Sequence, residues 1–144
     1  MQITKEILFQ DRNIDNIKKM IKVAIDEDLH SGDETSKAVF QYNFSLKESK
    51  TYFLAKDTGI ISGLVIIPLI IEIAKNEKYI KNDLSFNALV EDGDLVEKGK
   101  VIAEMSGDFV DILSMERTLL NFLSRMSGVS TFTNKLVNIL KKAN

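Results

Sequence analysis

Residues 114–133 read SMERTLLNFLSRMSGVSTFT, and the rest of the chain is organised around them. Leu119, Leu120, Phe122, Leu123 and Met126 recur at helical spacing on one side. Arg117, Asn121, Ser124 and Gly128 follow at intervals of four, three and four residues, a polar stripe down another side. Ser114 is a candidate N-cap, placing Glu116 in the first turn, where the helix dipole favours an anion. Asp111 is an alternative cap that leaves Arg117 on the stripe. Two readings stay open: a core helix with a solvated face, or a buried helix aiming one guanidinium into a cleft. A guanidinium is a permanently charged planar fork that matches a carboxylate or phosphate through two hydrogen bonds.

A chain of 144 residues holds one domain, or a small domain plus a piece of another. With 44% hydrophobic and 28% charged residues it is globular in composition. A formal charge of -2 gives no basic footprint for nucleic acid. The absence of cysteine excludes disulfides and thiolate metal sites and fits a reducing compartment. The opening MQITKEILFQDRN lacks the basic and apolar regions of a signal peptide. The most apolar run, residues 60–73, contains Gly63, Pro68 and Glu72 and is too short to span a bilayer. The expectation is a soluble cytoplasmic protein with no membrane partner.

Upstream of the central stretch, Ile17, Met20, Ile21, Ala24 and Ile25 predict a helix capped by Asp15 and ending near Asp28. HSGD at 30–33 follows as a turn. Residues 34–50 show no period and read as a loop with at most one short strand. Alternation predicts a strand over 51–56, a turn at Asp57-Thr58-Gly59 and a short return strand to Gly63. The run from Leu64 turns helical, with either its first turn or a kink at Pro68. A strand over 84–90, the turn Glu91-Asp92-Gly93-Asp94 and two further short strands ending at Ser106 complete the set. After Gly128 a separate helix is expected from about Thr131, with Phe132, Leu136, Ile139 and Leu140 apolar.

Few residues carry chemistry by themselves. The acidic group Asp26, Glu27, Asp28, Asp33 and Glu34 does not match a calcium-loop spacing and reads as a solvated helix end. His30 is the only histidine, so it has no histidine partner for a relay or metal site. Gly59 and Gly63 bracket a strand and form no phosphate-cradling loop. GDLVEKG at 93–99 has the cadence of biotinyl and lipoyl hammerhead folds. The region that follows, Glu104-Met105-Ser106-Gly107-Asp108, lacks the lysine a swinging arm needs.

Three stretches together resemble the quinolinate phosphoribosyltransferases, the decarboxylating enzymes of NAD biosynthesis. They are DEDLHSGDETS at 26–36, EDGDLVEKG at 91–99, and ERTLLNFL at 116–123 with SGVST at 127–131. Their order and spacing across almost the whole chain make the likeness specific. The molybdenum-locus paralogue of the same family shares the last stretch, whereas the first looks more like the quinolinate enzyme.

The resemblance implies an α+β fold: an α/β-hammerhead domain over residues 1–112, then the start of a β/α barrel over 113–144. It implies a reaction between quinolinate and phosphoribosyl pyrophosphate, with Mg2+ on the pyrophosphate. It also implies a homodimer in which Arg117 reaches the quinolinate carboxylates in the partner's site. No catalytic or metal-binding residue carries over to this chain. The Thr-Arg-Lys and Asn-His-Arg stretches and the barrel carboxylates of the family have no counterpart here, and a complete barrel takes about 250 residues. The chain thus resembles an N-terminal half, inactive alone. The alternative is a non-catalytic hammerhead module that assembles with a separate barrel chain.

Overall fold

The computed structural model describes residues 11–30 and 48–143. Helix α1 (Asp11–His30) is followed by strands β1 (Ser49–Leu54) and β2 (Gly59–Ile60). A 3-10 turn (Leu64–Ile66) leads into α2 (Ile67–Asn76). Strands β3 (Ser85–Ala88), β4 (Leu95–Val96) and β5 (Val101–Gly107) precede the long helix α3 (Phe109–Ala143). The class is α+β, as expected. The expected turn at 31–33 and most of the loop expected after it lie outside the described residues.

Strand β5 is central in an antiparallel sheet of order β1-β5-β3, and β2 pairs only with β4. The segment after the 57–59 turn is therefore no return strand of a hairpin with β1: Gly59 faces Val96 and Ile60 faces Leu95. The alternation predicted for β1 holds, with Phe53 and Ala55 buried and Tyr52 and Leu54 exposed. Phe53 meets Phe86 of β3 edge-on, ring centroids 5.8 Å apart, a favoured aromatic geometry. On the same sheet, Lys50 pairs with Glu104 at 2.8 Å. This contact, helped by the Asn87 amide, holds the Glu104 carboxyl below its usual range. A lowered folded-state value means that the contribution is present above the ordinary glutamate range and fades as pH falls through the lowered one.

The helices cover one face of this sheet. Ile21 and Ile25 of α1, Ile67, Ile70 and Ala74 of α2, and Met115 and Leu119 of α3 are almost wholly enclosed together with Ala103 and Met105. Met20, expected on the apolar stripe of α1, is instead 70% exposed. Pro68 sits in the first turn of α2, where its missing N–H has no intrahelical partner to lose.

Helix α3 departs from expectation at both ends. Neither Ser114 nor Asp111 caps it. Asp108 does, its Oδ1 accepting from the Val110 and Asp111 amides at 2.9 and 3.2 Å. That leaves the Asp111 carboxylate for another task. Buried at 5% exposure, it accepts from the backbone amides of Lys81 and Asn82 and from the Asn82 side chain at 2.9 Å. Asp111→Ala should orphan these donors and destabilise the fold by about 2–3 kcal/mol. Such a loss would appear as a lower denaturant midpoint at unchanged slope. Nor does the helix break at Gly128: α3 runs for 35 residues. A single interior glycine costs about 1 kcal/mol relative to alanine, and tertiary contacts on either side of it offset that cost.

The acidic end of α1 is likewise more than a solvated face. Asp28 Oδ2 accepts from the hydroxyl of the buried Thr118 at 2.8 Å, and Asp26 accepts from the Tyr79 hydroxyl. Asp33 and Glu34 lie outside the described residues. Beyond Thr131, Phe132, Leu136, Ile139 and Leu140 form an exposed apolar face of α3. Among the described residues, no helix is long and apolar enough to cross a membrane.

Candidate functional site

Beyond its packing in the core, the middle of α3 is joined to the 60–62 backbone by two hydroxyls. Thr131 Oγ1 accepts from the Ile60 amide at 2.8 Å and lies 3.4 Å from the Ile60 carbonyl, to which its hydroxyl donates. Ser127 Oγ repeats the exchange with Ser62, at 3.0 Å from the amide and 3.2 Å from the carbonyl. Two extended residues advance about 6.6 Å and four helical residues about 6.0 Å, so hydroxyls four apart on a helix match alternate peptide units of a strand. Each hydroxyl stands in for the missing neighbour strand.

Two glycines permit the approach. A Cβ on Gly59 would lie 2.6 Å from Thr131 Oγ1, and one on Gly63 would lie 2.9 Å from Met126 Sδ. Gly63 also has φ +107, a region that side chains with a Cβ avoid. Thr131→Val keeps the shape but orphans the Ile60 amide. We expect a loss of about 1–2 kcal/mol, together with faster hydrogen exchange at Ile60.

Beside this seam lies an open cleft of about 980 Å³ between residues 53–61 and the middle of α3. Ile61, Val96, Ile102 and Leu123 contribute apolar lining, and Lys56, Lys98 and Lys135 contribute cationic side chains. Of the stripe predicted from sequence, Asn121, Ser124 and Gly128 line the cleft and Arg117 does not. Arg117 is exposed and, among the described residues, makes no ion pair or side-chain hydrogen bond. Its neighbour Thr118 is wholly buried, so the helix turns from core to surface within one residue.

Sequence reasoning missed the Ser127–Thr131 seam, although hydroxyls four apart facing a glycine-bounded strand were a usable signal. The three lysines come from separate elements and carry no local signature. Among the described residues, no group of three or more His, Cys, Asp or Glu side chains gathers where it could hold a metal ion.

Residues 33–127 match the family described as quinolinate phosphoribosyl transferase, N-terminal domain. A chloroplastic nicotinate-nucleotide pyrophosphorylase (carboxylating) of Arabidopsis thaliana is 35% identical over 129 residues, covering 89% of this chain and 34% of that protein. A probable nicotinate-nucleotide pyrophosphorylase (carboxylating) of Bacillus subtilis is 32% identical over 126 residues, covering 86% of this chain and 39% of its own length. Among solved structures, NadC from Streptococcus pyogenes superposes with a TM-score of 0.71 at 28% identity, over 85% of this chain and 41% of that one. The chain thus spans little more than a third of the length of the curated relatives it matches. It belongs to the quinolinate phosphoribosyl transferase family, in which its matched residues are the N-terminal domain.

Proposed function

We propose that the chain serves as the N-terminal domain of an enzyme of NAD biosynthesis that joins quinolinate to phosphoribosyl pyrophosphate. The products are nicotinate mononucleotide, pyrophosphate and carbon dioxide. The observation that carries this reading is the family match over residues 33–127, with Arg117 inside it and exposed on α3. A guanidinium without a partner among the described residues is free to bind a ligand, and a pyridine dicarboxylate supplies the anionic oxygens its fork requires. Arg117 neutralises and orients the acid, and moves no proton.

Because Arg117 does not line its own chain's cleft, we assign it to the site of a partner subunit in a homodimer. The domain division enters the same proposal: residues 1–112 as the hammerhead domain and 113–144 as the start of a barrel. The exposed apolar face of the second half of α3 suits packing against such a neighbour. Magnesium, in this reading, binds the pyrophosphate through donors outside the described residues. We place the enzyme in the cytoplasm, although relatives include chloroplastic and mitochondrial proteins.

The test is product formation by a full-length enzyme carrying this domain, supplied with phosphoribosyl pyrophosphate and either quinolinate or nicotinate. Nicotinate mononucleotide should form from quinolinate with release of carbon dioxide, and not from nicotinate. Equal use of the two acids would show that the acid substrate is wrongly assigned.

A further inference from the structure

We propose that Asp28 and Thr118 are positioning residues for Arg117. Given the reading of Arg117 as the fork that takes the acid, on which this role rests, their hydrogen bond joins α1 to α3 one residue beyond the fork. It fixes the stance from which the guanidinium leaves the helix. Both residues act through Arg117, and neither touches substrate.

The bond closes a polar circuit. Starting on α3, the Asp111 carboxylate holds the backbone amides of Lys81 and Asn82. In the same turn the Tyr79 hydroxyl donates to Asp26 of α1. Two residues further along α1, Asp28 accepts from Thr118 Oγ1 at 2.8 Å, which returns the circuit to α3. The turn is no loose link, because Ile80 within it is 2% exposed. Asp111 and Thr118 stand seven residues apart, two helical turns to within about 20°, so both ends of the circuit grip one side of α3. Arg117 is exposed and lies about 100° round the helix from Thr118.

Apolar packing gives this part of α3 a place but little rotational definition. Met115 and Leu119, one turn apart, are wholly enclosed, yet apolar burial is non-directional. Hydrogen bonds weaken steeply off line, so the two carboxylate contacts fix rotation and axial position together. Thr118 is as enclosed as its apolar neighbours, where a valine of like size would avoid the cost of burying a hydroxyl. What the hydroxyl supplies in return is direction. Among the described residues no ion pair or side-chain hydrogen bond steadies Arg117 itself, so its stance is inherited from the backbone beneath it. A fork that makes two parallel hydrogen bonds tolerates little misalignment, and an error of about 1 Å in a positioning group can cost about 100-fold.

The test is made in a full-length enzyme carrying this domain. For each variant it measures kcat, the KM for each substrate and the denaturant midpoint. Thr118→Val and Asp28→Ala break the bond from either side. Each should raise the KM for quinolinate about fivefold and leave that for phosphoribosyl pyrophosphate unchanged. Thr118→Ser keeps the donor and should restore a near-normal value. Tyr79→Phe opens the circuit at its other link and should raise the acid KM by less. On an Arg117→Lys background, where the fork is already lost, Thr118→Val should add less than about twofold. If Thr118→Val fails to fold, Asp28→Ala and Tyr79→Phe, both at partly buried positions, still decide. Suppose Arg117→Lys weakens the acid as expected. An unchanged acid KM in the folded variants, an equal rise for both substrates, or a Thr118→Ser variant as impaired as Thr118→Val would then overturn the proposal alone. So would the full effect of Thr118→Val persisting on the Arg117→Lys background. A normal acid KM in Arg117→Lys would overturn the reading of Arg117 and this proposal with it.

Discussion

Replacing Arg117 with lysine in a full-length enzyme carrying this domain should weaken quinolinate binding by about 1.5–3 kcal/mol, the range for a hydrogen bond to a charged group. Lysine keeps the charge but loses the second aligned hydrogen bond of the planar fork. Folding should change little, because Arg117 is exposed and, among the described residues, holds no ion pair. Glu116 is not a hidden partner, since adjacent helical residues point about 100° apart. Arg117→Ala should be worse for the acid while leaving affinity for phosphoribosyl pyrophosphate nearly intact. Isothermal titration with each substrate and a denaturant curve separate these effects. Normal quinolinate binding by the lysine variant, or a markedly lower denaturant midpoint, would make Arg117 structural and the assignment wrong.

A polypeptide of these 144 residues alone should yield no detectable nicotinate mononucleotide. Phosphoribosyl transfer requires groups that position the ribose phosphate and stabilise the departing pyrophosphate, and such positioning accounts for much of a phosphoryl or glycosyl transfer rate. The described residues provide no metal-binding cluster, and the one guanidinium assigned to substrate stands outside its own chain's cleft. Steady product formation by purified, uncontaminated polypeptide, followed by coupled chromatography and mass detection, would contradict this expectation.

The elements that depend on local pattern were legible in the sequence. Alternation at Phe53 and Ala55 and the apolar spacing of Ile21 and Ile25 reappear in the core, and the proline sits in the first turn of α2. Features governed by tertiary competition were not. Asp108 is as good an N-cap as Ser114 or Asp111, and the choice is settled by the Lys81–Asn82 turn, which takes the Asp111 carboxylate. Gly128 reads locally as a helix stop. Seated between the Ser127 and Thr131 contacts with the 60–62 backbone, it does not stop α3. The partner of β2 was invisible because Gly59 and Ile60 pair with residues far along the chain. The candidate site divided in the same way. The stripe of Asn121, Ser124 and Gly128 was readable as helical spacing, whereas Lys56 and Lys98 reach the cleft from elements joined only by the fold.

The most direct test of the proposed role of Arg117 is subunit mixing. One full-length variant carries Arg117→Ala with an intact remainder. The other keeps Arg117 but is inactivated by a substitution in the portion beyond this domain. Each alone should be nearly inactive. If Arg117 serves the partner's site in a twofold dimer, each mixed dimer contains one complete site. Unfolding, mixing in equal amounts and refolding should then restore about a quarter of wild-type activity, since about half of the dimers are mixed. No recovery above the separate variants, with mixed dimers verified by mass, would contradict the account.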